Sequence, residues 1–134
     1  LVGDLEDLPT GRIVKVAAGG YLIAALTSGN DLYCWGGHPG RPPLIDDLTG
    51  FPSPVVIEDN DIVDVAVGDF HVIALTEARQ VFVTGENTNG QLGLDVECAK
   101  VWTPVHLNLK PHQEITGVAA GPRASFVTVR TDLE

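Results

Sequence analysis

Four histidines, three serines, two cysteines and a few paired carboxylates are the side chains of this 134-residue chain most suited to chemistry. None of them is arranged for it. Ser28, Ser53 and Ser125 stand outside any nucleophile-elbow context. His38, His71, His106 and His112 lack the three-to-five-residue spacing of a metal pair, and no Cys-x-x-Cys accompanies them. Cys34 and Cys98 are too few for a disulfide framework and too far apart for a metal knuckle, so they read as isolated thiols of an intracellular protein, cytoplasmic or nuclear. Gly19-Gly20 opens no helix and forms no phosphate loop. Asp46-Asp47 and Glu58-Asp59 lie in polar stretches where solvated charge is the ordinary role. The chain reads as no enzyme, with no catalytic residue, no cofactor and no metal.

The elements that position these side chains follow from composition and spacing. Fifteen glycines and nine prolines punctuate short runs rich in Val, Ile, Thr and aromatics, the composition of half-buried strands. No amphipathic stretch runs at the helical period, and no apolar run approaches the ~18 residues of a membrane helix. The formal net charge of −10 argues against nucleic acid, whose binding depends on neutralising phosphates with Lys and Arg. It favours a basic protein partner instead.

An internal repeat organises the chain. Ile13-Val14-Lys15-Val16-Ala17-Ala18-Gly19 aligns with Ile62-Val63-Asp64-Val65-Ala66-Val67-Gly68 at an offset of 49. The alignment continues without gaps through Ala25-Leu26-Thr27 on Ala74-Leu75-Thr76 and Gly36 on Gly85. A third copy starts at Ile115, offset by 53. The repeats span roughly 13–61, 62–114 and 115–134, with 1–12 as the end of a preceding unit. Turn residues divide the second copy into strands Ile62–Val67, Val72–Thr76, Gln80–Thr84 and Pro104–Leu107. The first divides into Ile13–Ala17, Leu22–Thr27, Leu32–Trp35 and Pro54–Ile57, and Leu5 to Leu8 form a last strand of the preceding unit. Four antiparallel strands every ~40–50 residues mark β-propeller blades, so the fold class is all-β with about two and a half blades.

The run from Val65 through Gly68, His71 and Thr76, then Val81 to Gly85-Glu86-Asn87-Thr88-Asn89-Gly90-Gln91-Leu92-Gly93, resembles a regulator of chromosome condensation repeat. Thr84 replaces the usual Trp. The first copy keeps Trp35-Gly36 but has Leu22 at the histidine position, and the third has Ala124 there. Gly68 and Gly85 stand where the chain turns tightly or blades approach closely. Asn87 and Gln91 can hold the long segment's backbone, Leu92 fills the gap between blades, and Gly90 and Gly93 supply positive φ. His71 reads as a structural histidine satisfied by backbone, and the resemblance makes it a hallmark of the repeat.

The resemblance implies a seven-bladed propeller, for which this chain is too short, so it is expected to be a piece of a longer ring. An isolated arc is expected to self-associate through exposed blade edges. Relatives implied by the resemblance include an exchange factor for the small GTPase Ran that binds chromatin, repeat domains of ubiquitin ligases and an ultraviolet-B photoreceptor. The leading functional reading is a non-enzymatic scaffold that docks a protein partner, and the alternative is a guanine-nucleotide exchange factor for a Ran-like small GTPase. Strand order sorts the loops into two rims. One rim collects Glu6, Asp7, Asp31, Glu58, Asp59, Asp61 and Glu77, with Arg79 and Lys110 as its basic members. Glu58, Asp59 and Asp61 are its partner-binding candidates.

Overall fold

The computed structural model describes residues 12–19, 22–36, 53–58, 60–87, 90–93, 98–107 and 109–131. Leu5 to Leu8, Glu6, Asp7, Asp46, Asp47 and Asp59 lie outside them. The described residues hold ten strands and no helix. In chain order they are β1 (Ile13–Ala18), β2 (Leu22–Thr27), β3 (Leu32–Gly36), β4 (Ser53–Val55), β5 (Ile62–Val67), β6 (His71–Thr76), β7 (Val81–Glu86), β8 (Cys98–Val105), β9 (Gln113–Gly121) and β10 (Ala124–Thr131). The first four make one antiparallel sheet in sequential order, the next four a second, and β9 with β10 a two-stranded third. These are two four-stranded propeller blades and the inner half of another.

Stacking of the sheets decides the burial pattern. The second blade is covered on both faces, and every residue of β6 is buried. One of its faces joins Leu22, Leu26 and Leu32 of the first blade through Ile62, Val65, Val72 and Phe82. The other packs Ile73, Leu75, Val81 and Val83 with Ile115 and Val118 of the third. A strand covered on both sides reads as a continuous apolar run, not as an alternation. That accounts for the continuous run His71-Val72-Ile73-Ala74-Leu75-Thr76, whose counterpart in the first blade shares its closing Ala-Leu-Thr.

The repeat extends to details of the backbone. Thr27 Oγ1 accepts from the Asp31 amide at 3.2 Å, and Thr76 Oγ1 accepts from the Gln80 amide at 3.1 Å. Within these turns Asn30 and Arg79 have φ of 65° and 66°. Each innermost strand also breaks register at the same place, between Ile13 and Lys15 and between Ile62 and Asp64, and in β9 opposite Thr128 and Val129. Such bulges re-aim the residue that follows. In the first two blades that residue is charged.

β4 ends two residues before its sequence reading and β7 runs two beyond it, and the largest departure is in the second blade. The fourth strand of the second blade is expected at Pro104–Leu107 but spans Cys98–Val105. Its pairing passes a register break between Val83 and Gly85, beyond which Gly85 and Glu86 pair with Ala99 and Cys98. Gly85 has φ 119°, which a side chain rarely adopts, and Thr84 Oγ1 donates to the Ala99 carbonyl at 2.9 Å across the break. Pro54 and Pro104 sit on the outermost strands opposite Tyr33 and Phe82. Edge strands tolerate a residue without an N–H donor.

Candidate protein-interaction rim and the seams behind it

Neighbouring blades meet residue by residue at their repeat counterparts. A Cβ on Gly19 would lie 1.8 Å from the carbonyl oxygen of Gly68, and one on Gly68 would lie 2.8 Å from that of Gly121. These are the same repeat position in three successive blades, and at Gly19 and Gly68 glycine is required by close approach of one backbone to the next. His71 follows the same rule. It is fully buried, and its Nε2 lies 3.1 Å from the carbonyl of Ala124, the residue at its own position in the third blade. Its ring fills the space beside Gly68, where a Cβ would lie 2.0 Å from Cε1. Burial lowers its pKa from the ordinary histidine value, against the opposing pull of the Ala124 carbonyl and the Asp69 charge.

Asp64 is a second link, and sequence reasoning missed it. Its carboxylate pairs with Lys15, the residue at its own position in the first blade. Its other oxygen accepts from the amide of Val118 in the third blade at 2.9 Å. One half-buried carboxylate therefore touches three blades. The available signal was a pair of opposite charges at equivalent positions in otherwise apolar inner strands.

After β7, Asn87 holds a turn at residues 90–93 against the blade. Asn87 Oδ1 accepts from the Leu92 amide at 2.9 Å, and the Asn87 carbonyl accepts from the Gly90 amide at 3.2 Å. This turn delivers Leu92, 2% exposed, into the cluster shared by the second and third blades. Gln91 is buried beside it. Gly90 and Gly93 have φ of 75° and 67°. Of this segment it is Leu92 that enters the seam, whereas Gly90 and Gly93 are exposed at the turn.

The acidic rim is built from the turns at the other end of the strands. The Glu77 amide donates to the Asp61 carbonyl at 2.9 Å, and the Ile62 amide donates to the Asn30 carbonyl at 2.8 Å. These bonds tie the β6–β7 turn and the β2–β3 turn to the connection between the blades. They bring the backbones of Asp61 and Glu77 together, and both side chains are exposed. Glu58 is exposed on the same connection, at φ 49°. Arg79 is engaged elsewhere, 3.2 Å from Glu114, whose other oxygen lies 2.8 Å from Arg130. That pairing removes one nearby cation from competition for the rim carboxylates.

Among the described residues no group of three or more His, Cys, Asp or Glu is placed to hold a metal ion. No helix among them is long and apolar enough to cross a membrane. Cys34 is fully buried and its thiol pKa is pushed up to about 12, whereas Cys98 is exposed.

Comparison with known proteins places this architecture. Two profiles described as Regulator of chromosome condensation (RCC1) repeat match residues 13–38 with 62–91, and residues 80–128. The probable E3 ubiquitin-protein ligase HERC4 of Rattus norvegicus is 42% identical over 71 residues, covering 53% of this chain and 7% of its own length. The ultraviolet-B receptor UVR8 of Arabidopsis thaliana is 35% identical over 104 residues, covering 69% of this chain and 24% of its own. The chain therefore spans under a quarter of the length of either. Among solved structures, Prp20p from Saccharomyces cerevisiae superposes with a TM-score of 0.74 at 20% identity, over 97% of this chain and 33% of that one. Its structure is described together with its binding to Gsp1p and histones. The profiles together match well over half of the sequence, and the chain belongs to the regulator of chromosome condensation (RCC1) repeat family.

Proposed function

We propose that this chain is a non-enzymatic interaction module whose acidic rim, at Glu58, Asp59, Asp61 and Glu77, docks a basic protein segment. The observation that carries this reading is the division of labour between the two ends of the strands. Gly68, His71 and Leu92 of the motif are spent inside, on the seam between the second and third blades, while the inter-blade connection and the β6–β7 turn expose carboxylates on a common rim. A chain of net charge −10 with carboxylates grouped on one rim produces a field that steers a Lys- or Arg-rich partner. The binding of Prp20p to histones supports a basic partner by analogy within the fold. The two free cysteines agree with a cytoplasmic or nuclear setting.

The test is association kinetics with a Lys-rich peptide. Reversing Glu58, Asp59 and Asp61 to Lys slows association by about tenfold, and salt raised above the physiological range imitates the loss. Reversing Asp46 and Asp47, which strand order in the sequence assigns to the opposite set of loops, does much less. Equal losses from both rims would mean that only total charge matters.

Exchange of guanine nucleotide on a Ran-like GTPase is the alternative, supported by the Gsp1p binding of Prp20p. Labelled nucleotide release from such a GTPase, mixed stoichiometrically with the chain, discriminates the two. We expect the intrinsic rate, and a clear acceleration would favour exchange.

A further inference from the structure

We propose that the seam between the second and third blades is an acid-sensitive latch, closed while His71 is neutral and released when it takes up a proton, whereas the seam between the first and second blades stays closed. This goes beyond the docking function and does not depend on it.

The geometry fixes the protonation state. A backbone carbonyl only accepts, so the contact with Ala124 requires the hydrogen on Nε2. A neutral imidazole then carries a bare Nδ1. That nitrogen is buried and has no hydrogen-bond partner among the described residues. The position a Cβ would take on Gly68 is only 2.3 Å from it, so the backbone of that turn closes over the ring. A proton on Nδ1 places a full charge there with no acceptor to receive its hydrogen bond, and a buried unpaired charge is costly. The ring relieves this by leaving its site, which gives up the Ala124 carbonyl. The Asp69 amide, which donates to the Pro122 carbonyl at 3.1 Å, bridges the same two turns and loosens with it.

The charged groups on the elements around the ring are few. Asp69 in its own turn favours the imidazolium, Glu86 follows its cross-strand partner Gly85, and Arg123 precedes Ala124 in the facing hairpin and opposes it. Burial outweighs the attractions, so the folded state prefers the neutral ring. The sign follows. Stability from neutral His71 is fully present above the ordinary histidine pKa of about 6.5 and is lost as the pH falls from there through the lowered folded value.

The other seam lacks this chemistry. Leu22 occupies the histidine position of the first blade, buried in the apolar cluster that joins it to the second. The chain thus holds two solutions to one packing problem, and only one of them titrates.

Hydrogen exchange by mass spectrometry on the 134-residue chain, corrected for the intrinsic pH dependence of exchange, reads the two seams separately. Between pH 7 and pH 5, protection across residues 113–131 falls by up to about tenfold per pH unit, the limit for one proton, and protection across 13–36 changes little. His71→Leu, which copies the first blade, abolishes the difference. His71→Gln keeps an N–H for Ala124 without a titrating group, so it also abolishes the pH response while retaining protection at pH 7, and it serves if the leucine variant folds poorly. The same acid response in wild type and both variants would assign it to the carboxylates of the seam and overturn the latch. A response spread evenly over all three blades, or none, would overturn it as well.

Discussion

The side chains that matter most in this protein are those that meet their own repeat counterparts. His71 reaches Ala124, Lys15 reaches Asp64, and Gly19 and Gly68 lie against the carbonyls of Gly68 and Gly121. Replacing His71 by Ala removes a buried hydrogen bond, and the melting transition at pH 7 should show a loss of roughly 1–3 kcal/mol. Partner binding should fall only in proportion. Gly68→Ala forces a methyl against the His71 ring and the Gly121 backbone, and overpacking of this kind costs about 1–3 kcal/mol or more. Thiol chemistry offers an independent check of burial at this scale. Native protein should take up one equivalent of an alkylating reagent at Cys98 and none at Cys34, whose burial keeps the thiolate out of reach, and unfolded protein should take up two. Rapid native labelling of Cys34 would contradict the packing of the first blade.

At the scale of elements, most of the strands were legible because the repeat compares each one with a counterpart. Turn residues bounded β5 and β6 to within a residue, and β7 to within two. The start of β8 was not legible. Cys98-Ala99-Lys100-Val101 follows a Gly- and Asn-containing loop, and its pairing depends on a register break at Gly85 that local sequence does not announce. Asp64 escaped notice for a related reason, since a carboxylate in a strand acquires its role only when two other blades are placed around it. The grouping of Glu58, Asp61 and Glu77 on one set of turns was legible by strand order alone. Order among the strands leads to a prediction for amide exchange at pH 7. The amides of β6, paired on both sides and wholly buried, should exchange slowest, and those of β10, whose second half is exposed, fastest. Equal protection in the two strands would contradict the sheet assignments.

Across the whole molecule, the repeat makes the open faces visible. Phe126 is 56% exposed while its counterpart Ile73 is 1% exposed, and Val16 is 57% exposed while its counterpart Val65 is fully buried. In the second blade these positions are covered by neighbouring blades, so the first and third blades each present an apolar face ready for another sheet. The 134-residue chain in isolation should self-associate in sedimentation experiments, and Phe126→Ser with Val16→Ser should shift it toward monomer. The acidic rim runs along the strand ends and is left free by such stacking. The measurement that tests the docking account most directly is a hydrogen-exchange footprint of a bound Lys-rich peptide on the protein. Added protection should centre on the turns at Glu58, Asp61 and Glu77 and leave the opposite rim, at Asp69-Phe70 and Pro122-Arg123, unchanged. A footprint on that opposite rim, or none at peptide concentrations that saturate binding, would contradict it.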